Sequence, residues 1–154
     1  MKKPSREKAI VGWREWVSLP ELGISTLKAK IDTGARTSAL HAFRVDYYEE
    51  QGQPKVNFDI HPLQGQETPV INCVANVIDR RRVTDSGGHR EERYVIKTHL
   101  ILGMHTWPIE ITLTNRDDMR FRMLLGRTAI RRRFIIDPAV SFLLSSAPHE
   151  LDLL

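Results

Sequence analysis

The chain has 154 residues, 41% of them hydrophobic and 27% charged, proportions that suit a globular protein and exclude a disordered tail. Lysine and arginine number 23 against 19 aspartates and glutamates, a formal charge of +4, so an anionic partner has to be considered. A lone cysteine, Cys73, excludes internal disulfides and Cys-rich zinc modules, and no apolar run approaches the ~20 residues of a membrane span.

The charged start, Met1–Arg6, is not followed by the apolar core of a secretory signal, because Arg14 and Glu15 interrupt the first apolar stretch. A cytoplasmic protein without membrane association is expected. From there the dominant period is two. Strands are expected at Ala9–Val17, at Leu27–Asp32 (which alternates apolar and polar and ends on a carboxylate), at Val56–Ile60 and at Val70–Ile78. Tyr94–Leu100, Trp107–Thr114, Arg120–Leu125 and Ile135–Asp137 continue the series. Turn residues separate them: Pro20 and Gly23, Gln51–Pro54, Gln64-Gly65, Ser86-Gly87-Gly88 and Asn115–Asp118. Only Thr128–Phe134 carries a helical spacing, with Ile130 and Phe134 four apart. Short strands, regular turns and one short late helix predict an all-β domain, closed or sandwiched, spanning residues 1–154 with its core over about 9–144.

Chemistry concentrates at Asp32-Thr33-Gly34-Ala35, directly after the strand that buries Leu27, Ala29 and Ile31. The strand delivers the carboxylate to its end, where a loop begins and a side chain can face a cleft. Thr33 supplies a hydroxyl, and Gly34 lets the backbone turn and approach a ligand. An Asx-type turn between two strands explains the triplet alone equally well. A second element, Leu124-Leu125-Gly126-Arg127, is an apolar strand running into the short helix. Between Arg116 and Arg133 lie seven arginines and two acids, Asp117 and Asp118, either a solvated face or a cationic wall for an anionic partner.

Taken together, Asp32-Thr33-Gly34-Ala35 and the later Leu124-Leu125-Gly126-Arg127 resemble the retropepsins, single-domain aspartic proteases of retroviral type. The stretch Lys28–Ala42 resembles more narrowly the bacterial "ATP-dependent zinc protease" family, retropepsin-like proteins associated with ATP-grasp glutamate ligases that modify ribosomal proteins. The resemblance implies a closed acid-protease barrel with one short C-terminal helix. It implies a homodimer in which Asp32 of each subunit forms a catalytic dyad, one carboxyl activating water and the other polarising the scissile carbonyl. Thr33, Gly34 and Ala35 would support the active-site loop, Gly126 would be structural, and Arg36, Thr37, Ser38 and Arg127 would meet substrate. Retroviral enzymes usually follow the Asp-Thr-Gly-Ala run with an acid that pairs with the later arginine. Here Arg36 stands in that place, so Arg127 either finds another acid, such as Asp137, or both arginines face an anionic ligand. A flap is expected at Ile78–Val95 with Gly87 and Gly88 at its tip, the hairpin at Val45–Ile60 around Gly52 being the competing candidate.

The expected activity is therefore hydrolysis of peptide or glutamyl amide bonds in acidic or glutamate-modified proteins. A catalytically silent module that presents peptide to an ATP-grasp glutamate ligase or a ribosomal protein is the alternative. A weaker third reading, RNA binding through Arg80–Arg82 and Arg131–Arg133, lacks any ribonucleoprotein motif. No metal and no cofactor is expected: His41, His61, His89, His99, His105 and His149 show no ligand spacing, and no phosphate-binding glycine loop occurs. Cys73, in an apolar strand, is expected to be an inert core thiol.

Overall fold

The computed structural model describes residues 7–84, 87–116 and 119–146. The Met1–Arg6 start, the acids Asp117-Asp118 and His149 considered above lie outside them. Among the described residues the chain forms β1 (Ala9–Gly12), β2 (Arg14–Leu19), a 3-10 turn at Pro20–Leu22, β3 (Ile24–Asp32), β4 (Ser38–His41), β5 (Phe43–Glu50) and β6 (Gln53–Ile60). Then follow β7 (Ile71–Thr84), β8 (Arg90–Leu102), β9 (His105–Thr114), β10 (Met123–Gly126), the one-turn helix α1 (Arg127–Ile130) and β11 (Phe134–Asp137). No helix among these residues is long and apolar enough to cross a membrane.

Nine strands form one sheet in the order β2-β3-β10-β4-β9-β8-β7-β6-β5, and Ser18 of β2 pairs with Ile101 of β8, closing the larger part into a barrel. Closure gives each strand an inward face, which the period-two pattern fills. Glu15, Val17 and Leu19 of β2 point inward, as do Ile24, Leu27, Ala29 and Ile31 of β3. Phe58, Ile96, Leu100, Ile111 and Leu125 are fully buried in the core that results. Each such side chain contributes about 1.5–3 kcal/mol by leaving water.

Where the observed elements depart from the expected ones, packing explains the difference. The first expected strand is two, because the chain turns at Trp13. β4 has no alternation to betray it: all four residues are buried, since β10 and β9 flank it. β7 continues beyond Ile78 through the polar run to Thr84, past a register shift between Val77 and Asp79, into a hairpin with β8. β10 begins only at Met123. The helix is shorter than Thr128–Phe134: it ends at Ile130, Arg132 takes a left-handed conformation (φ 69°), and Phe134 enters β11 to pack against Trp107. Ile130 and Phe134 are both buried, but in different elements.

A parallel ribbon joins β1 to β11. The segment after it folds back over β2, held by a carboxylate that has no cationic partner among the described residues. Glu15 is fully buried and accepts hydrogen bonds from the backbone N–H groups of Gly12 (2.7 Å), Leu143 (3.0 Å), Leu144 (3.2 Å) and Ser145 (3.0 Å), and from the Ser145 hydroxyl (2.6 Å). Two glycines admit the segment: a Cβ on Gly12 would stand 2.3 Å from the Val140 carbonyl oxygen, and one on Gly103 2.9 Å from that of Leu144. Glu15→Ala leaves these amides without an acceptor. It is expected to destabilise the protein by about 2–4 kcal/mol in urea unfolding, with the amides of Leu143–Ser145 losing hydrogen-exchange protection first.

Candidate active site

Asp32 closes β3, and β10 runs beside it in parallel, with Leu125 opposite Ile31 and Gly126 opposite Asp32. The loop that follows is turned by Asp32 itself: its main-chain carbonyl accepts the Ala35 N–H (3.2 Å) and its Oδ1 accepts the Gly34 N–H (3.1 Å). The start of α1 holds the other side. Arg127 N–H donates to the Ala35 carbonyl (2.9 Å), Thr128 N–H to that of Arg36 (3.1 Å), and Gly126 N–H to Ser38 Oγ (3.1 Å). A Cβ on Gly126 would lie 2.6 Å from the Thr37 carbonyl carbon and 2.9 Å from Ser38 N, so the two backbones touch where only glycine fits. The result presents Thr33 and Gly34 to solvent and keeps Asp32 half-buried.

Of the two expectations for Arg127, the pair with Asp137 is not met. Arg127 takes no acid among the described residues. Its Nη1 donates to the carbonyls of Thr33 (3.1 Å) and Gly34 (3.4 Å), satisfying loop oxygens that would otherwise face water. Asp137 instead accepts the Ala139 N–H. Ser38 lies beneath the loop, not in a substrate path: it is fully buried, its hydroxyl takes the Gly126 amide and its carbonyl takes the Thr112 hydroxyl (3.2 Å).

Asp32 opens onto a groove of about 1010 Å³, together with Gly34, Ala35, Arg36, Thr37 and Arg127. Arg14 and Lys30, cross-strand neighbours on β2 and β3, line it as well, as do Arg81, Arg82, Arg93, Arg116 and Arg120. Asp32 is the one acid among the described lining residues. The cationic stretch seen in the sequence is divided by the fold: Arg116, Arg120 and Arg127 reach the groove, whereas Arg122 and Arg131–Arg133 do not. Arg133 lies over the Trp107 ring. Sequence reading missed Arg14, Lys30 and Arg93 as lining residues, because they sit singly on separate strands.

Of the two hairpins considered as flaps, β7–β8 is the one that borders the groove, through Arg81, Arg82, Val83 and Thr84. The β5–β6 hairpin contributes nothing to it. Gly87 and Gly88 sit in the connection between β7 and β8, Gly88 with φ 83°, while Asp85 and Ser86 lie outside the described residues. At the hairpin's base Arg81 bridges Asp79 (2.8 Å) and Glu110 (2.6 Å). The Arg81 side chain, then the Arg80 amide, hold the Asp79 carboxyl below its usual range.

His41 and His61 stack with ring centroids 6.4 Å apart, His99 Nδ1 lies 2.6 Å from Glu21, His105 packs edge-on to Phe134, and no three His, Cys, Asp or Glu side chains converge among the described residues. Cys73 is buried with its thiol toward the Leu22 carbonyl (3.3 Å), and burial pushes its pKa up to about 12.

A model of the RimB-like family, described as retropepsin-like aspartic endopeptidase RimB, matches residues 10–146. The chain belongs to this family. The barrel is accordingly a retropepsin-like, protease-like fold. The crystal structure of a protein of unknown function from Legionella pneumophila superposes with a TM-score of 0.76 at 28% identity, covering 90% of this chain and 100% of that one. Among curated proteins the chain is 45% identical over 140 residues to a probable alpha-L-glutamate ligase of Shewanella halifaxensis, and 46% identical over 143 residues to one of Desulfotalea psychrophila. The matches cover 91% and 93% of the chain but 31% of each relative, so the chain spans under a third of those proteins' length.

Two outcomes follow for the site's frame. Gly126→Ala forces apart two backbones that have no flexible side chain to yield, and is expected to cost about 1–3 kcal/mol with faster amide exchange at Arg127 and Thr128, read by thermal unfolding and exchange. Cys73 is expected to resist iodoacetamide at about pH 8 in the folded protein and to react once the protein is unfolded, as counted by mass spectrometry.

Proposed function

We propose that the chain is an aspartic peptidase that works as a homodimer, two copies of Asp32 meeting across a two-fold axis to cut acidic or glutamate-bearing protein chains. The observation that carries this reading is Asp32 held at a strand end, half-buried, on a groove whose other charged lining residues are all cationic among those described. One carboxylate takes a proton from water, whose oxygen attacks the scissile carbonyl carbon. The partner carboxyl donates its proton to the carbonyl oxygen. As the tetrahedral intermediate collapses, the carbon–nitrogen bond breaks, the leaving amine receives a proton from the first carboxyl, and the partner carboxylate takes back a proton from a hydroxyl of the intermediate.

In this reading Thr33, exposed beside Asp32, braces the partner's loop, and Gly34 lets the substrate backbone come close. Ala35 keeps the loop's shape through its bond to Arg127. Arg36 and Thr37 line the path of the substrate, and the β7–β8 hairpin with Gly87 and Gly88 closes over it. The arginines around Asp32 favour carboxylate-bearing chains.

A second reading is supported by the relatives named as probable glutamate ligases, whose much greater length makes this chain the counterpart of one part of a larger protein. In that reading the groove binds an acidic chain for a ligase partner and cuts nothing. Asp32→Asn separates the two. It is expected to abolish cleavage of a glutamate-rich peptide by about a thousandfold or more while leaving thermal unfolding in place. Specific activity of the unmutated protein should rise with protein concentration through the dimerisation range, measured with sedimentation in parallel. A folded Asp32→Asn protein with undiminished cleavage would falsify the peptidase reading, and equal or faster cutting of neutral peptides would remove the acidic substrate from it.

A further inference from the structure

The cations of the groove are not equivalent. Arg81 is committed to Asp79 and Glu110, and Arg127 to the carbonyls of the Asp32 loop. Arg36, Arg82 and Arg120 are exposed, where salt screens them and single ion pairs contribute little. Arg93 differs from all of these. It lines the groove, yet its side chain is only 7% exposed.

Its donors are unevenly used. Nε donates to Glu91 Oε2 at 3.0 Å, and Nη1 makes one long contact, 3.4 Å, with Thr112 Oγ1. No acceptor is found for Nη2 among the described residues. A guanidinium carries five N–H groups in a fixed fork, so the edge formed by Nη1 and Nη2 keeps most of its capacity. Glu91 is itself steadied by the Thr114 hydroxyl, at 2.9 Å and 3.2 Å from its two oxygens, and does not line the groove. The carboxylate thus grips Arg93 from behind while the fork remains on the groove side.

We propose that Arg93 is a specificity-determining residue that receives a substrate carboxylate on its Nη edge. The proposal rests on the acidic-substrate reading above and names where that acidity is read. A bidentate carboxylate matches the planar fork, and in a buried site such a charge-assisted pair is stronger than any contact with the exposed arginines. Position is fixed as well. Thr112 accepts from Arg93 and donates to the Ser38 carbonyl, the Ser38 hydroxyl takes the Gly126 amide, and Gly126 stands opposite Asp32. The reader and Asp32 therefore share one hydrogen-bonded wall, and a carboxylate seated on Arg93 sets the register of the chain at Asp32.

The carboxylate could be a glutamate side chain or a chain terminus, and four peptides tell them apart: glutamate or glutamine at the tested position, each as C-terminal acid or amide. Binding is measured by fluorescence anisotropy to the Asp32→Asn protein, which leaves the peptides uncut. The test variant adds Glu91→Gln and Arg93→Gln together, which preserves net charge and leaves neither partner buried alone. It is expected to weaken the carboxylate peptide about ten- to hundredfold and the neutral one by about twofold at most, with the ratio persisting as salt is raised. Arg82→Gln, by contrast, should lower affinity for all acidic peptides in a salt-sensitive way without changing the preferred position. Discrimination unchanged in the folded double exchange overturns the proposal. Should that protein fail to fold, Arg93→Lys, which keeps the charge and loses the fork, decides: retained discrimination overturns it, and lost discrimination supports it. If the Asp32→Asn parent already binds all four peptides alike, the acidic-substrate reading fails and the role of Arg93 with it. If it discriminates through Arg93 but the unmutated protein cuts nothing, only the peptidase reading fails.

Discussion

Everything at the site depends on two backbones being allowed to touch. The end of β10 passes the loop after β3 so closely that Gly126 has no room for a side chain, and the contact is with main-chain atoms of Thr37 and Ser38, which cannot swing aside. That approach brings the amides of Gly126, Arg127 and Thr128 within reach of Ser38, Ala35 and Arg36. Three hydrogen bonds from one segment then fix a loop that its own sequence leaves free to turn. Asp32 inherits its position from this crossing more than from β3 alone.

Arg127 shows how a missing acid changes the local solution without losing the frame. With Arg36 where a carboxylate would pair with it, a guanidinium at the start of α1 turns to the carbonyl oxygens of Thr33 and Gly34. These accept from a cation more strongly than from water, so the arginine still closes the loop. Arg36 is left exposed on the groove and adds to its field. Arg127 thereby stabilises the loop, and Arg36 remains an outward charge.

How much of this was legible follows from the range over which each feature is encoded. Asp32 could be found because the alternation of Leu27, Ala29 and Ile31 and the turn residues Thr33 and Gly34 are neighbours in sequence. β4 could not, since four consecutive buried residues sandwiched between β10 and β9 carry no period. The arginine clusters misled because density along the chain is not density in space: Arg131–Arg133 turn away, while Arg14, Lys30 and Arg93 arrive from three strands as single residues. Glu15 reads as an ordinary polar position on β2. Its burial is set by amides 128 to 130 residues later, which no local pattern can announce.

The groove's composition bears on what chemistry one chain can perform. Cleaving an amide by activated water needs a base to take a proton and an acid to give one within the same encounter. Among the described lining residues the chain offers one carboxylate and eight arginines, and an arginine does neither, because its guanidinium stays protonated. In the proposed peptidase reading, a symmetric copy of the chain supplies the second carboxyl. Binding an acidic chain makes no such demand, since the cations suffice. In that reading hydrolysis requires association and recognition does not, so dilution separates the two capacities.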